Sequence, residues 1–172
     1  RMASRMTGRR KVLIPAVMDP ERLSVLRNYC EPRQMARHIE IVEVAVGPDG
    51  RIERDDLAAK LDETVAALYF ETPSYHGVIE ADPGGLCSAA REIGAEAIAG
   101  VDPLSLGLLE APGAYGATIA VGPTQPLGTH MNAGGGVGGV VATPDEERYA
   151  RVYNTINVSI CETVQEGEYG FS

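Results

Sequence analysis

A chain of 172 residues suffices for one domain with a core of its own and falls short of two. Its formal charge of −9, from 24 acidic against 15 basic residues, repels phosphate backbones and argues against nucleic-acid binding. No apolar run approaches the roughly 20 residues of a membrane-spanning helix, and no signal-peptide core is present, so a soluble cytoplasmic protein is expected.

Residues 1–6 (RMASRM) read as the last turns of a helix, with Thr7-Gly8 supplying its left-handed end. Strands are expected at residues 11–17 (KVLIPAV), 39–44 (IEIVEV), 65–70 (VAALYF), 97–101 (AIAGV), 117–121 (ATIAV) and 139–142 (GVVA). Several are continuously apolar, as for strands covered on both faces. Asp19-Pro20-Glu21 and Asp82-Pro83 are helix starts, each a capping residue followed by Pro in the first helical position. Residues 55–61 form a short helix, and Thr143 with Glu146 reads as a capping box opening a helix through Tyr149 and Val152. The alternation of strands and helices predicts an α/β fold of three layers, with a mainly parallel sheet and one antiparallel member. Residues 1–172 are expected to form a single domain. The missing initiator Met and the closing EGEYGFS, without helix or closing strand, suggest a fragment that lacks an N-terminal flank and a C-terminal small domain.

In such sheets ligands gather at the carboxyl ends of the strands, so the loops after Phe70, Val101 and Val121 hold the candidate site. Asp102 ends a buried strand before a Pro turn, where a carboxylate either pairs with a protonated ring nitrogen or accepts backbone N–H groups as a turn cap. His76 and His130 lie in strand-end loops, placed either for acid–base work or as ordinary surface residues. The glycine run at 133–139 lacks the spacing of a P-loop or a dinucleotide fingerprint and leads into a strand, which favours a flexible entry turn. No Gly-x-Ser-x-Gly elbow is present. Cys30, Cys87 and Cys161 show no zinc spacing and read as free thiols. The basic residues are almost all arginine, and Lys11 and Lys60 are the only lysines.

VDPLSLGLL (residues 101–109), PGAYGATIAVGPTQPLG (112–128) and the glycine run resemble the glycine cleavage P-protein, the pyridoxal-phosphate-dependent glycine decarboxylase. The likeness is strongest to the N-terminal-type subunit of the split enzyme, and DDLAAKLDETVAALYFETPSYHGVIE extends it over nearly the whole chain from Lys11 onward. The resemblance implies a fold-type I architecture, with a mainly parallel seven-stranded large domain. It places Asp102 at the aspartate that holds the pyridine nitrogen in catalytic relatives, and Gln125 where their Schiff-base lysine stands. An amide nitrogen cannot form that imine. At residues 71–74 (ETPS) the catalytic relatives show an Asn-Pro pattern. Asp102, Gln125 and His76 are therefore the candidate residues of a vestigial cofactor pocket, with no catalytic and no metal-binding residue. The resemblance implies a non-catalytic subunit of an enzyme complex. Pyridoxal phosphate belongs to the intact complex and not to this chain alone; the partners are a catalytic subunit and a lipoyl carrier protein. Two alternatives stay open: a pyridoxal phosphate enzyme whose lysine lies outside this chain, and a stand-alone small-molecule-binding module.

Overall fold

Apolar, β-branched strand sequences punctuated by capped helices produce a doubly wound sheet. The computed structural model describes residues 1–31, 38–131, 138–153, 160–162, 165 and 167–171. Strands β1 (Lys11–Pro15), β2 (Glu40–Val44), β3 (Val65–Glu71), β4 (Glu96–Gly100) and β5 (Ile119–Pro123) are parallel. The sixth, β6 (Gly139–Ala142), is antiparallel to β5, and the spatial order is β2-β1-β3-β4-β5-β6. This is the mixed sheet expected, with six strands among the described residues where the family resemblance implies seven. The order reverses between β1 and β3, and at such a switch point two neighbouring crossovers diverge and leave a crevice at the strand ends.

Helix α1 (Met2–Thr7) ends at Gly8, whose φ of 72° is the left-handed cap expected there. Helix α2 (Pro20–Cys30) starts at Asp19, whose carboxylate accepts the Arg22 N–H. In α4 (Pro83–Glu92) Asp82 does the same for Gly85. Helices α3 (Arg54–Lys60) and α4 cover one face of the sheet: Leu57, Leu86, Cys87 and Ala90 pack with Leu13, Leu68, Phe70, Ala97 and Ala99. The strand period of two sends Val12, Tyr69 and Ile98 to the opposite face, where α1 and α2 lie.

Two local readings of the sequence are corrected. The Thr143–Glu146 box does not open a helix: the Pro144 carbonyl accepts the Glu146 N–H in a turn, and α5 (Glu147–Ala150) begins after Glu146 without a side-chain cap. Nor does the chain finish without a strand. Strand β8 (Tyr169–Phe171) pairs antiparallel with β7 (Ile160–Glu162), with Ile160 opposite Phe171 and Glu162 opposite Tyr169.

At the amino end of the sheet, α5 is fastened by a buried acid. Tyr149 is fully buried and its hydroxyl donates to Glu96 Oε2 at 3.2 Å. Arg148 reaches Glu96 Oε1 at 3.2 Å and lies 4.4 Å from the centre of the Tyr149 ring. Burial first, and then the Glu96 charge, raises the Tyr149 phenol above its ordinary range.

Candidate functional site

At the opposite, carboxyl end a cleft of about 290 Å³ opens over β3, β4 and β5. Its walls are Asp19 and Arg22 at the start of α2, residues 71–75 after β3, and the segments around Asp102 and Pro123. Within β3 the alternation of side chains puts Tyr69 and Glu71 on the same face. Register then sets Glu71 directly opposite Gly100 of β4.

That pairing creates a niche. A Cβ at Gly100 would collide with the Tyr69 hydroxyl and come within 3.0 Å of Tyr69 Cζ and 3.1 Å of Glu71 Cγ. Glycine leaves this space free, and the Tyr69 hydroxyl fills it while donating to Glu71 Oε1 at 2.7 Å. Arg22 Nη1 donates to the same oxygen at 3.0 Å. The Glu71 side chain is only 3% exposed whereas Arg22 is 49% exposed, so the acid is buried and its cation forms the lid. Burial, and then the adjoining carboxylate, pushes the Tyr69 phenol well above its usual range, so Tyr69 remains a donor at any physiological pH.

Of the residues singled out from sequence, Asp102 lines this cleft. Its carboxylate accepts the Leu104 N–H at 3.0 Å and its carbonyl accepts the Ser105 hydroxyl at 2.7 Å, the turn-capping role open to it on chemical grounds. Gln125 stands at the margin in a single 3₁₀ turn, Gln125–Leu127, and its amide donates to the Thr129 carbonyl. His76 is exposed beyond the rim, with its ring 5.3 Å from that of Tyr75, and His130 is exposed as well. The glycines at 134–136 lie outside the described residues. Both lysines are remote from the cleft. Lys11 pairs with Asp62 at 2.5 Å at the start of β1, and Lys60 pairs with Asp56 at 2.6 Å behind edge strand β2. Cys30 and Cys87 are buried free thiols, Cys87 being pushed by burial to about 11. Among the described residues no group of three or more His, Cys, Asp or Glu is arranged to hold a metal ion.

Residues 1–160 match the sequence pattern of the glycine cleavage system P-protein. The chain belongs to this family. It is 37% identical over 150 residues to the probable glycine dehydrogenase (decarboxylating) subunit 1 of Metallosphaera sedula, covering 87% of this chain and 33% of that protein. With the protein of the same name from Prosthecochloris aestuarii it shares 36% over 170 residues, covering 99% and 36% of the two. Among solved structures, an inhibitor-bound glycine decarboxylase (P-protein) of the glycine cleavage system superposes with a TM-score of 0.80 at 36% identity, covering 99% of this chain and 36% of that one. An O-acetylhomoserine sulfhydrylase of Wolinella succinogenes superposes with a TM-score of 0.63 at 20% identity over 83% of this chain and 37% of that one, a likeness of fold alone. The chain thus spans about a third of the length of the relatives it matches.

The cleft does not suit pyridoxal phosphate. A phosphorylated aldehyde needs an amine for its carbonyl and free cations or N–H groups for its phosphate. Here three carboxylates, Asp19, Glu71 and Asp102, face one guanidinium, a net of two negative charges. That guanidinium, Arg22, is paired with Glu71, and the Arg22 N–H in the first turn of α2 is given to Asp19. Sequence reasoning registered Glu71 only as part of a loop and missed Arg22, Tyr69 and Gly100. The available signal was an acid closing a run of buried apolar residues, two places after a tyrosine.

Proposed function

We propose that the chain is part of a non-catalytic subunit of the glycine-decarboxylating P-protein. In this reading a partner subunit holds pyridoxal phosphate and the lysine that carries it. The complex removes the carboxyl group of glycine as CO2 and passes the aminomethyl group to a lipoyl carrier protein. The cofactor acts as the electron sink, and the protein supplies binding and orientation. Asp102, Gln125 and His76 are the remnants of a cofactor pocket in this subunit.

The observation that carries the reading is the absence of an amine at the strand-end cleft: the side chain at position 125 is an amide, and both lysines are paired elsewhere. A partner subunit is supported by the relatives' designation as subunit 1. It is supported too by the carboxyl rim of the sheet, where Leu104, Leu108, Leu127 and Met131 are 59%, 94%, 61% and 79% exposed, an apolar series that a partner would cover. What this chain contributes is a rim of fixed shape, in which Arg22 and Glu71 tie α2 to β3. The buried free thiols suit a reducing compartment, which makes the cytoplasm the expected location.

The test is capture of the cofactor. The full-length protein carrying this chain is mixed with pyridoxal phosphate, reduced with borohydride and mapped by peptide mass. No specific pyridoxyl adduct is expected within residues 1–172, and glycine-dependent release of CO2 is expected only after the partner subunit is added. A stoichiometric adduct on Lys11 or Lys60 would overturn the reading.

A further inference from the structure

The same cleft holds a second barrier to the cofactor besides the missing amine. Resting on the non-catalytic reading above, we propose that Arg22, Glu71 and Tyr69, seated in the niche left by Gly100, close this cleft to pyridoxal phosphate independently of the lysine. An amine restored at position 125 then does not recreate a cofactor site.

Three features carry the inference. The first is steric and mutual. The Tyr69 hydroxyl occupies space that exists only because residue 100 has no Cβ, with the Glu71 Cγ methylene beside it, so strand β4 is shaped around the network. The second is the direction of the charges. Glu71 is buried and accepts from both Tyr69 and Arg22, so the guanidinium that lines the cleft already has a carboxylate partner when a phosphate enters. The third is the start of α2. An uncapped helix N-terminus at the switch point is a ready phosphate site, but here the Arg22 N–H is given to Asp19 at 2.9 Å. A phosphate dianion approaching this end of the sheet therefore meets three carboxylates, Asp19, Glu71 and Asp102, with Arg22 already paired to one of them. Losing a lysine removes the covalent bond to the cofactor, and these contacts remove the non-covalent site as well.

The experiment uses the full-length protein in complex with its partner. Wild type, Gln125→Lys, Gln125→Lys/Asp19→Asn and Gln125→Lys/Asp19→Asn/Glu71→Gln are titrated with pyridoxal phosphate, reduced with borohydride and mapped by peptide mass, which reads position 125 separately from the partner's lysine. Asn retains the cap on α2 and Gln keeps the shape of Glu71, so each change removes charge with little change of volume. Circular dichroism melting checks that each variant is folded. If Glu71→Gln fails to fold, the Asp19→Asn pair carries the test. Gln125→Lys alone is expected to label no more than Lys11 and Lys60 do. Neutralising the carboxylates should tighten capture at residue 125 by at least tenfold, about 1.4 kcal/mol. Raised salt should increase labelling of Gln125→Lys more than that of the neutralised variants, because it has more repulsion to screen in the former. Stoichiometric capture by Gln125→Lys alone, or no gain on neutralisation, would overturn the proposal and leave the non-catalytic reading untouched. An adduct on the wild-type chain's own lysines would instead sink that reading.

Discussion

Replacing Gly100 by Ala tests the niche with a single methyl group. The added Cβ meets the Tyr69 hydroxyl, with Tyr69 Cζ at 3.0 Å and Glu71 Cγ at 3.1 Å, so the ring must shift. Overpacking a tight site costs about 1–3 kcal/mol. Displacing the hydroxyl also forfeits its bond to a buried carboxylate, worth about 1.5–3 kcal/mol. The reduced freedom of the unfolded chain returns about 0.5–1 kcal/mol. A net loss of about 1.5–5.5 kcal/mol follows, which at a urea slope of about 2 kcal/mol/M lowers the unfolding midpoint by roughly 1–3 M. The assay is urea unfolding of Gly100→Ala, of Tyr69→Phe and of the double variant. Once Phe has removed the hydroxyl, the Cζ and Cγ contacts remain but the closest clash and the forfeited hydrogen bond are gone, so the methyl should cost less by about 1.5–3 kcal/mol and the two changes should be non-additive. Equal costs of Gly100→Ala with Tyr or Phe at 69, or a stabilised single variant, would refute the reasoning.

Other consequences are open to the same assay. Tyr149→Phe leaves the buried Glu96 with only Arg148 as partner and should cost about 1–2 kcal/mol, read as a lower melting temperature with unchanged far-ultraviolet dichroism. Asp62 is held at about 2, below its ordinary 3.8, chiefly by the hydrogen bond from Lys11 and then by Thr64. A carboxylate depressed on folding adds stability that is complete above its unfolded value and lost as pH falls through its folded one. The difference in urea midpoint between wild type and Asp62→Asn should therefore be steady above pH ~5, shrink between about pH 4 and 2, and vanish below. A difference that persists unchanged at pH 2 would contradict that assignment.

Much of the scaffold is legible in the sequence because its signals are local. Asp19-Pro20 and Asp82-Pro83 cap their helices through N–H groups three residues away, and Gly8 stops α1 where only an unhindered residue tolerates a positive φ. The strands follow from runs of buried aliphatic residues. The Thr143–Glu146 signal is equally local, yet it fails because Pro144 turns the chain before the helix begins and α5 is secured by tertiary bonds to Glu96 instead. The terminal ribbon was not legible because neither three-residue strand carries a pattern of its own, and only their pairing defines them. The site divides in the same way. Asp102 was found because it ends an apolar run. The Arg22–Glu71–Tyr69 group joins residues 22, 69 and 71 across from residue 100, and which side chain faces Gly100 depends on the β3–β4 register.

The cost of burying Glu71 clarifies what has been kept at this cleft. A carboxylate with 3% exposure is expensive to desolvate, and two donors to one of its oxygens recover only part of that expense. An apolar side chain opposite Gly100 would close the strand end at lower cost, so stability alone does not explain an acid there. A charge does two things a leucine cannot. It fixes the first turn of α2 through Arg22, which sets the shape of the rim, and it presents negative potential to any phosphate that enters. The exposed leucines after β4 and β5 stand on that rim, where a rigid base would lower the entropy lost if the proposed partner covered them. A buried acid paired with a half-exposed arginine holds the start of α2 to the end of β3 while leaving the lining of the cleft net negative.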